Sequence, residues 1–177
     1  MQLISTLLPL LLASSFTSAL PVTKTKRSAT TVLSDIASIS SDVATLTSDA
    51  LAYTGGLFQS LALAITVDSL ESAITTATSD TTSSGTFSSA DSDSILAAVT
   101  TLTPKIITLL SDLDAKASTI SSAGYTSTVA GALTTLTTDT NALFAALEAA
   151  LDSADSVSIA TLQASIDAAF ATASATF

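Results

Sequence analysis

Cysteine, histidine and tryptophan are absent from the chain, and only five of its 177 residues are Lys or Arg. Each absence removes a class of function. Without Cys there is no disulfide framework, so stability must come from packing alone. Without His or Cys, neither a Ser–His–Asp nor a Cys–His nucleophile can be assembled, and zinc sites built on nitrogen or sulfur ligands fall with them. A Ser-x-x-Lys nucleophile would need Ser at 102 or 113, where Leu102 and Leu113 stand. The close carboxylate pairs, Asp91/Asp93 and Asp112/Asp114, lie two residues apart. On a helix such residues point to different sides and make poor acid/base partners. Asp91-Ser92-Asp93 starts like a calcium loop, but no EF-hand Gly or closing Glu follows at the right spacing. The acids read as a solvated face, and neither an enzyme nor a bound cofactor or metal is expected.

The shortage of positive charge also selects partners. Fifteen acids against five cations give a formal net charge of −10. Three of the cations, Lys24, Lys26 and Arg27, stand near the start. There "LISTLLPLLLASSF" (Leu3 to Phe16) has the length and polarity of a signal-peptide core, and Thr17 and Ala19 fit the small-x-small cleavage rule. A membrane anchor would need about 20 apolar residues, and Pro9 with the Ser and Thr content argues against one. Residues 1–19 therefore read as a signal peptide, and 20–27 as a short pro-segment ending at the dibasic Lys26–Arg27. Residues 28–177 then form the mature domain, expected to be secreted. Cleavage after Arg27 would leave Lys105 and Lys116 as the cations against all fifteen acids, a formal charge of −13. Such a chain cannot neutralise a phosphate backbone, so nucleic acid is excluded as a partner, and anionic membranes repel it.

Beyond Arg27 the helical period dominates. Ala29, Val32, Ile36, Ile39, Val43, Leu46, Ala50 and Tyr53 step by threes and fours up to Gly55–Gly56. A second helix carries Ser60, Leu63, Val67, Leu70, Ile74 and Ala77. "TTATSDTTSSGT" (Thr75 to Thr86) reads as a Ser/Thr-rich loop, a candidate for O-glycosylation. Ser88, with Asp91 three residues on, caps a third helix. Its stripe Ile95, Val99, Leu102, Ile106, Leu109, Leu113, Lys116, Ile120 keeps phase across Pro104. That phase predicts a helix kinked at Pro104, with a fresh start capped by Thr103 as the alternative. Gly124 suits a helix stop. A fourth helix follows with Val129, Leu133, Leu136, Leu143, Leu147, Ala150 and, beside them, Phe144; a turn is expected around 153–158. The last helix carries Ile159, Leu162, Ile166, Ala169 and Phe170. The fold class is all-α, an up-and-down bundle of about five amphipathic helices.

The opening of the second helix, "GGLFQSLALAITV", is apolar on two sides. Leu57, Phe58, Leu61 and Ile65 form a second stripe beside that of Ser60, Leu63 and Val67. A helix apolar all round is usually buried, so these turns are expected in the interior. Their second face is then either ordinary core or the wall of a lipid cavity, the alternative being an exposed adhesive patch. Candidate ligand-lining residues are Tyr53, Leu57, Phe58, Gln59, Leu61, Ile65, Leu109, Leu113, Lys116 and Phe144. Tyr53, Gln59 and Tyr125 offer polar groups to a carboxylate or sit at the rim. Lys116, four residues after Asp112, suits a local ion pair as well as a ligand.

The stretch "FSSADSDSILAAVTTLTPKIITLLSDLDAKASTI", with its Ala-Asp, "LTPKI" and "LLSDLDAK", resembles the fungal hydrophobic surface-binding protein A and cell wall mannoprotein family. "TGG", "LESAI" and "NALFAALEAAL" agree in order and spacing, and the likeness spans about residues 30–150. The resemblance implies a secreted helical bundle without enzymatic activity, extracellular or loosely associated with the cell wall. It implies either a carrier of fatty acid between its apolar faces, or a protein that adsorbs to hydrophobic solids and recruits a secreted esterase or cutinase. A cell wall antigen with no specific ligand is a third reading.

Overall fold

The computed structural model describes residues 28–177. The expected signal peptide and the dibasic segment at 20–27 lie outside the described residues. Among the described residues the chain is six helices and no strand: α1 Ala29–Ala52, α2 Leu57–Ser84, α3 Ser89–Ala115, α4 Ala117–Ser122, α5 Thr126–Ala150 and α6 Ser153–Thr176. The five long helices each pack on two others and close a ring in the order α1, α2, α5, α6, α3. Connections of two to four residues force α1, α2 and α3 to alternate in direction, and likewise α5 and α6.

The stripes become the core as their periods dictate. Every member of the α1 stripe from Ala29 to Tyr53 is buried. Ile95, Val99, Leu102, Ile106 and Leu109 meet them from α3, and Leu143, Phe144, Leu147, Ile159, Ile166 and Phe170 fill the middle. Ser88 caps α3 as expected: its Oγ accepts from the Asp91 N–H at 3.3 Å and donates to Asp91 Oδ2 at 2.8 Å. Helix α3 is continuous past Pro104, which excludes the fresh start at Thr103. The predicted third helix instead divides at Lys116, whose N–H turns back to the Leu113 carbonyl at 3.0 Å. The short α4 thus becomes a separate element, and six helices stand where about five were expected.

Two local expectations are corrected. The Ser/Thr-rich stretch from Thr75 is not a loop, because α2 continues to Ser84. Its hydroxyls turn inward on the helix: Thr76, Thr78, Thr82 and Ser84 each donate to the carbonyl four residues back, at 2.8 Å. Such bonds remove the competition with the backbone that keeps these residues out of helices. Ala77, Thr81 and Ser84 prolong the buried stripe of Leu70 and Ile74. Likewise no turn occupies 153–158; α6 starts at Ser153, capped by Asp152, whose Oδ1 accepts from the N–H groups of Ala154 and Asp155.

Thr81 is fully buried, and its Oγ1 has no hydrogen-bond partner. A buried hydroxyl without a partner costs about 1–3 kcal/mol. The near-isosteric Thr81→Val variant is therefore expected to gain on the order of 1 kcal/mol of stability. Urea unfolding of the two proteins side by side checks this.

Candidate ligand cavity

One end of the ring is not filled. A cavity of about 300 Å³ lies among the C-terminal ends of α1 and α3, the N-terminal halves of α2 and α5, and α4. Its wall is almost entirely apolar. Helix α1 gives Leu46, Ala50 and Tyr53; α2 gives Ser60, Leu63, Ala64 and Val67; α3 gives Leu109, Leu110 and Leu113. Ile120 of α4 and Tyr125, Val129, Ala132, Leu133 and Leu136 from the start of α5 close it. The lining residues Ala64, Asp68, Thr128 and Thr135 are exposed and mark an opening along the seam of α2 and α5.

The void has a sequence cause. At this end the lining includes small side chains, Ala50, Ser60 and Ala132 inside and Ala64 at the opening. At the filled end the corresponding space is taken by residues such as Ile39, Ile95, Leu147 and Ile159. The turn from α1 to α2 is held open rather than collapsed. Gly55 takes φ +96°, a conformation L side chains rarely adopt, and a side chain added there would come against Ala123 and Thr119. Gln59 clamps the same turn: its Oε1 accepts from the N–H and Oγ1 of Thr54 and the N–H of Gly56, while its Nε2 donates to the Ala52 carbonyl at 3.0 Å.

The residues singled out in the sequence divide between this wall and other roles. Tyr53, Leu109 and Leu113 line the cavity. Leu57, Phe58, Leu61 and Ile65 do not: they are 71%, 87%, 58% and 61% exposed, which corrects the expectation of an interior helix start. In the ring α2 packs mainly on α1 and α5, and its outer face is left exposed. The stripe of Ser60, Leu63 and Val67 is the one turned to the centre. Phe144 is 1% exposed in the packed core, away from the cavity wall. Gln59 is committed to the turn. Lys116 makes no ion pair with Asp112; its Nζ donates to the Tyr53 carbonyl at 3.3 Å. Sequence reasoning passed over Ala64 and Ala132, and the signal it lacked was which small residues face one another.

Polar groups in the wall sit in two places. Near the α1–α2 turn, the Tyr53 hydroxyl and Ser60 Oγ are 3.0 Å apart. Farther along α2, Asp68 and Glu71 approach the seam with α5. Burial, with Asp139 and Asp68 nearby, pushes the Glu71 carboxyl above its ordinary value of 4.5. A raised carboxyl pKa means that the folded state holds this proton more tightly than the unfolded chain. Its effect on stability is most favourable below 4.5 and turns unfavourable as pH rises through the raised pKa. The Glu71→Gln variant is therefore expected to melt higher than the parent at neutral pH. The gap should close as pH falls below 4.5, which thermal unfolding across that range measures.

The family profile described as hydrophobic surface binding protein A matches residues 29–149. Comparison with curated protein sequences gives no match. Among solved structures, that of AFMP4P in complex with palmitic acid is similar at 39% identity and a TM-score of 0.83, over 84% of this chain and 99% of that one. Ligand binding domain 1 of the Penicillium marneffei MP1 protein, complexed with arachidonic acids, has 17% identity and a TM-score of 0.79, over 84% of this chain and 98% of that one. Its ligand binding domain 2, also with arachidonic acids, has 18% identity, a TM-score of 0.79, and coverage of 86% and 97%. At those identities the two domains share the fold.

Proposed function

The chain belongs to the hydrophobic surface binding protein A family, and from that premise we propose that it is a secreted, non-enzymatic carrier holding one long acyl chain in the cavity at the open end of the bundle. The observation that carries this reading is the cavity itself, apolar, about 300 Å³, with an opening along the seam between α2 and α5. A methylene takes up about the space of one liquid water, roughly 30 Å³, so the space suits about ten methylenes without rearrangement. At about 0.8 kcal/mol each, they contribute roughly 8 kcal/mol before the cost of immobilising the ligand. The 39% identical relative with palmitic acid bound supports a fatty acid as the ligand class. Signal-peptide removal and cleavage after Arg27 belong to the same reading. Ser28, the next residue, is the N-cap of α1, so the cut leaves the bundle whole.

The exposed stripe of α2 favours a second activity, adsorption to hydrophobic solids. Of the most apolar 18-residue window of that helix only 11% is buried. By length and composition α2 and α3 could each cross a bilayer; in α3 the apolar side faces the core, whereas in α2 much of it faces outward. Leu57, Phe58, Leu61 and Ile65 form a continuous patch there, the kind of surface that marks contact with an apolar partner. Recruitment of an esterase or cutinase to a coated solid would be a further consequence of this activity.

One substitution separates the two. Leu61→Asp places a charge on the outer face without touching the cavity wall. It is expected to leave displacement of a fluorescent fatty acid by palmitate within about twofold of the parent, because surface changes away from a site shift energies by no more than about 0.5 kcal/mol. Adsorption to polystyrene beads should fall severalfold. If Leu61→Asp abolishes palmitate uptake in a folded protein, the stripe and not the cavity is the lipid site.

A further inference from the structure

The cavity is not the same at its two ends, and an acyl ligand with a charged head has reason to prefer one orientation. We propose that a fatty acid binds with its carboxylate against the Tyr53–Ser60 hydroxyl pair, its tail running along the wall toward Leu136 and the level of Glu71. This inference rests on the acyl-carrier reading and names the part of the site that recognises the head group.

Consider first the end that a carboxylate would avoid. Asp68 and Glu71 follow Ser60 by eight and eleven residues on α2, which at 1.5 Å per residue places them roughly 12–16 Å along the helix. Both line the cavity, and Asp139 of α5 stands close enough to Glu71 to disfavour its ionised form. A ligand carboxylate there would add one more negative charge to three. Neither cation among the described residues is available to offset it: the ammonium of Lys105 donates to Ser40 Oγ, and that of Lys116 to the Tyr53 carbonyl.

The other end is built differently. Tyr53 is only 3% exposed, yet it presents its hydroxyl to the cavity wall at Ser60. Ser60 Oγ also lies 3.1 Å from the Gly56 carbonyl, to which it donates. With that proton committed, Ser60 serves Tyr53 as an acceptor, and the phenol proton goes to a neutral oxygen. An arriving carboxylate is the stronger acceptor, since charge-assisted bonds are shorter and about twice as strong. It takes the phenol proton's bond while Ser60 keeps its own to Gly56, so no buried donor is orphaned. Lys116, held at the Tyr53 backbone, puts the nearby positive charge at this end. The pair is also pre-positioned. The Tyr53 N–H is bonded to the Ala50 carbonyl at 3.2 Å, and the Gln59 clamp fixes the turn between the two hydroxyls.

The test compares palmitate with methyl palmitate, which shares the chain but carries no charge, on the full protein at neutral pH. Tyr53→Phe keeps the ring packing and removes only the donor. It is expected to weaken palmitate binding about tenfold or more, as loss of a hydrogen bond to a charged group does, while methyl palmitate changes by less than about twofold. Ser60→Ala removes only the acceptor that competes for the phenol proton, so palmitate should bind as well as in the parent or slightly tighter. Leu61→Asp, on the exposed face outside the cavity wall, should leave palmitate within about twofold. Equal losses for acid and ester in Tyr53→Phe, or no loss for either, would overturn the head-group assignment. So would a tenfold gain for palmitate in Glu71→Gln with Tyr53→Phe silent, which would put the carboxylate at the acidic end. If the parent protein binds neither compound, the carrier reading itself fails, and that outcome is separate from all the others.

Discussion

The Ala132→Trp variant is expected to lose uptake of a long acyl chain while remaining folded. Ala132 stands on α5 between the deep wall of Val129, Leu133 and Leu136 and the exposed Thr128 and Thr135 at the seam. It is half-buried and faces space rather than a neighbouring side chain. An indole there can occupy the void without pushing helices apart, and its burial adds apolar contact. If it excludes four methylenes of the ligand, the loss is about 3 kcal/mol, or on the order of 200-fold in affinity. The melting temperature of the ligand-free variant should equal or exceed that of the parent. The parent's rise in melting temperature with added palmitate, which follows from binding to the folded state alone, should nearly vanish. A variant that still takes up palmitate with parental affinity would place the ligand elsewhere.

The opposite pattern is expected at Phe144. Its ring is 1% exposed within the cluster shared by the long helices, and it does not reach the cavity. Phe144→Ala removes a large side chain from a packed region that cannot refill the hole. The expected cost is about 3–5 kcal/mol, which for a chain of this size lowers the melting temperature on the order of 10 °C. Affinity for palmitate, measured well below the new transition, should change little. A variant stable as the parent but unable to bind palmitate would make Phe144 part of the ligand wall after all.

These two residues also show what a sequence can reveal about such a protein. Both lie on the same amphipathic helix, and the period identifies its inward face. The period does not distinguish an inward position that meets a neighbour from one that meets a void. That difference depends on what other helices place across the ring, where the small side chains of Ala50, Ser60 and Ala64 line the same cavity as Ala132. The same limit explains the start of α2. Two apolar stripes are plain in the letters from Leu57 to Val67, and burial of both is the ordinary expectation. Which of them faces out is decided by ring order, because α2 packs mainly on α1 and α5 and its outer stripe stays exposed.

Local chemistry misled in a different way. Ser and Thr at 75–84 suggest a loop because their side chains compete with the backbone, and the competition ends where Thr76, Thr78, Thr82 and Ser84 bind the carbonyl one turn back. Lys116 and Asp112 have the spacing of a helical ion pair, but α3 ends at Ala115, and the ammonium finds the Tyr53 carbonyl instead. Gln59 has the polarity of a head-group ligand, yet every contact of its amide goes to the turn it holds. By contrast the α1 stripe, the Ser88 cap and the all-helical class follow from period and capping alone, and they are found as expected.

The most direct test of the account is native mass spectrometry of the purified protein with a small excess of palmitic acid, run beside the Ala132→Trp variant. A bounded cavity predicts a discrete adduct of one palmitate on the parent, and the bare mass on the variant. No adduct on the parent, or an equal adduct on both proteins, would contradict the claim that the void at the open end of the bundle is the lipid site.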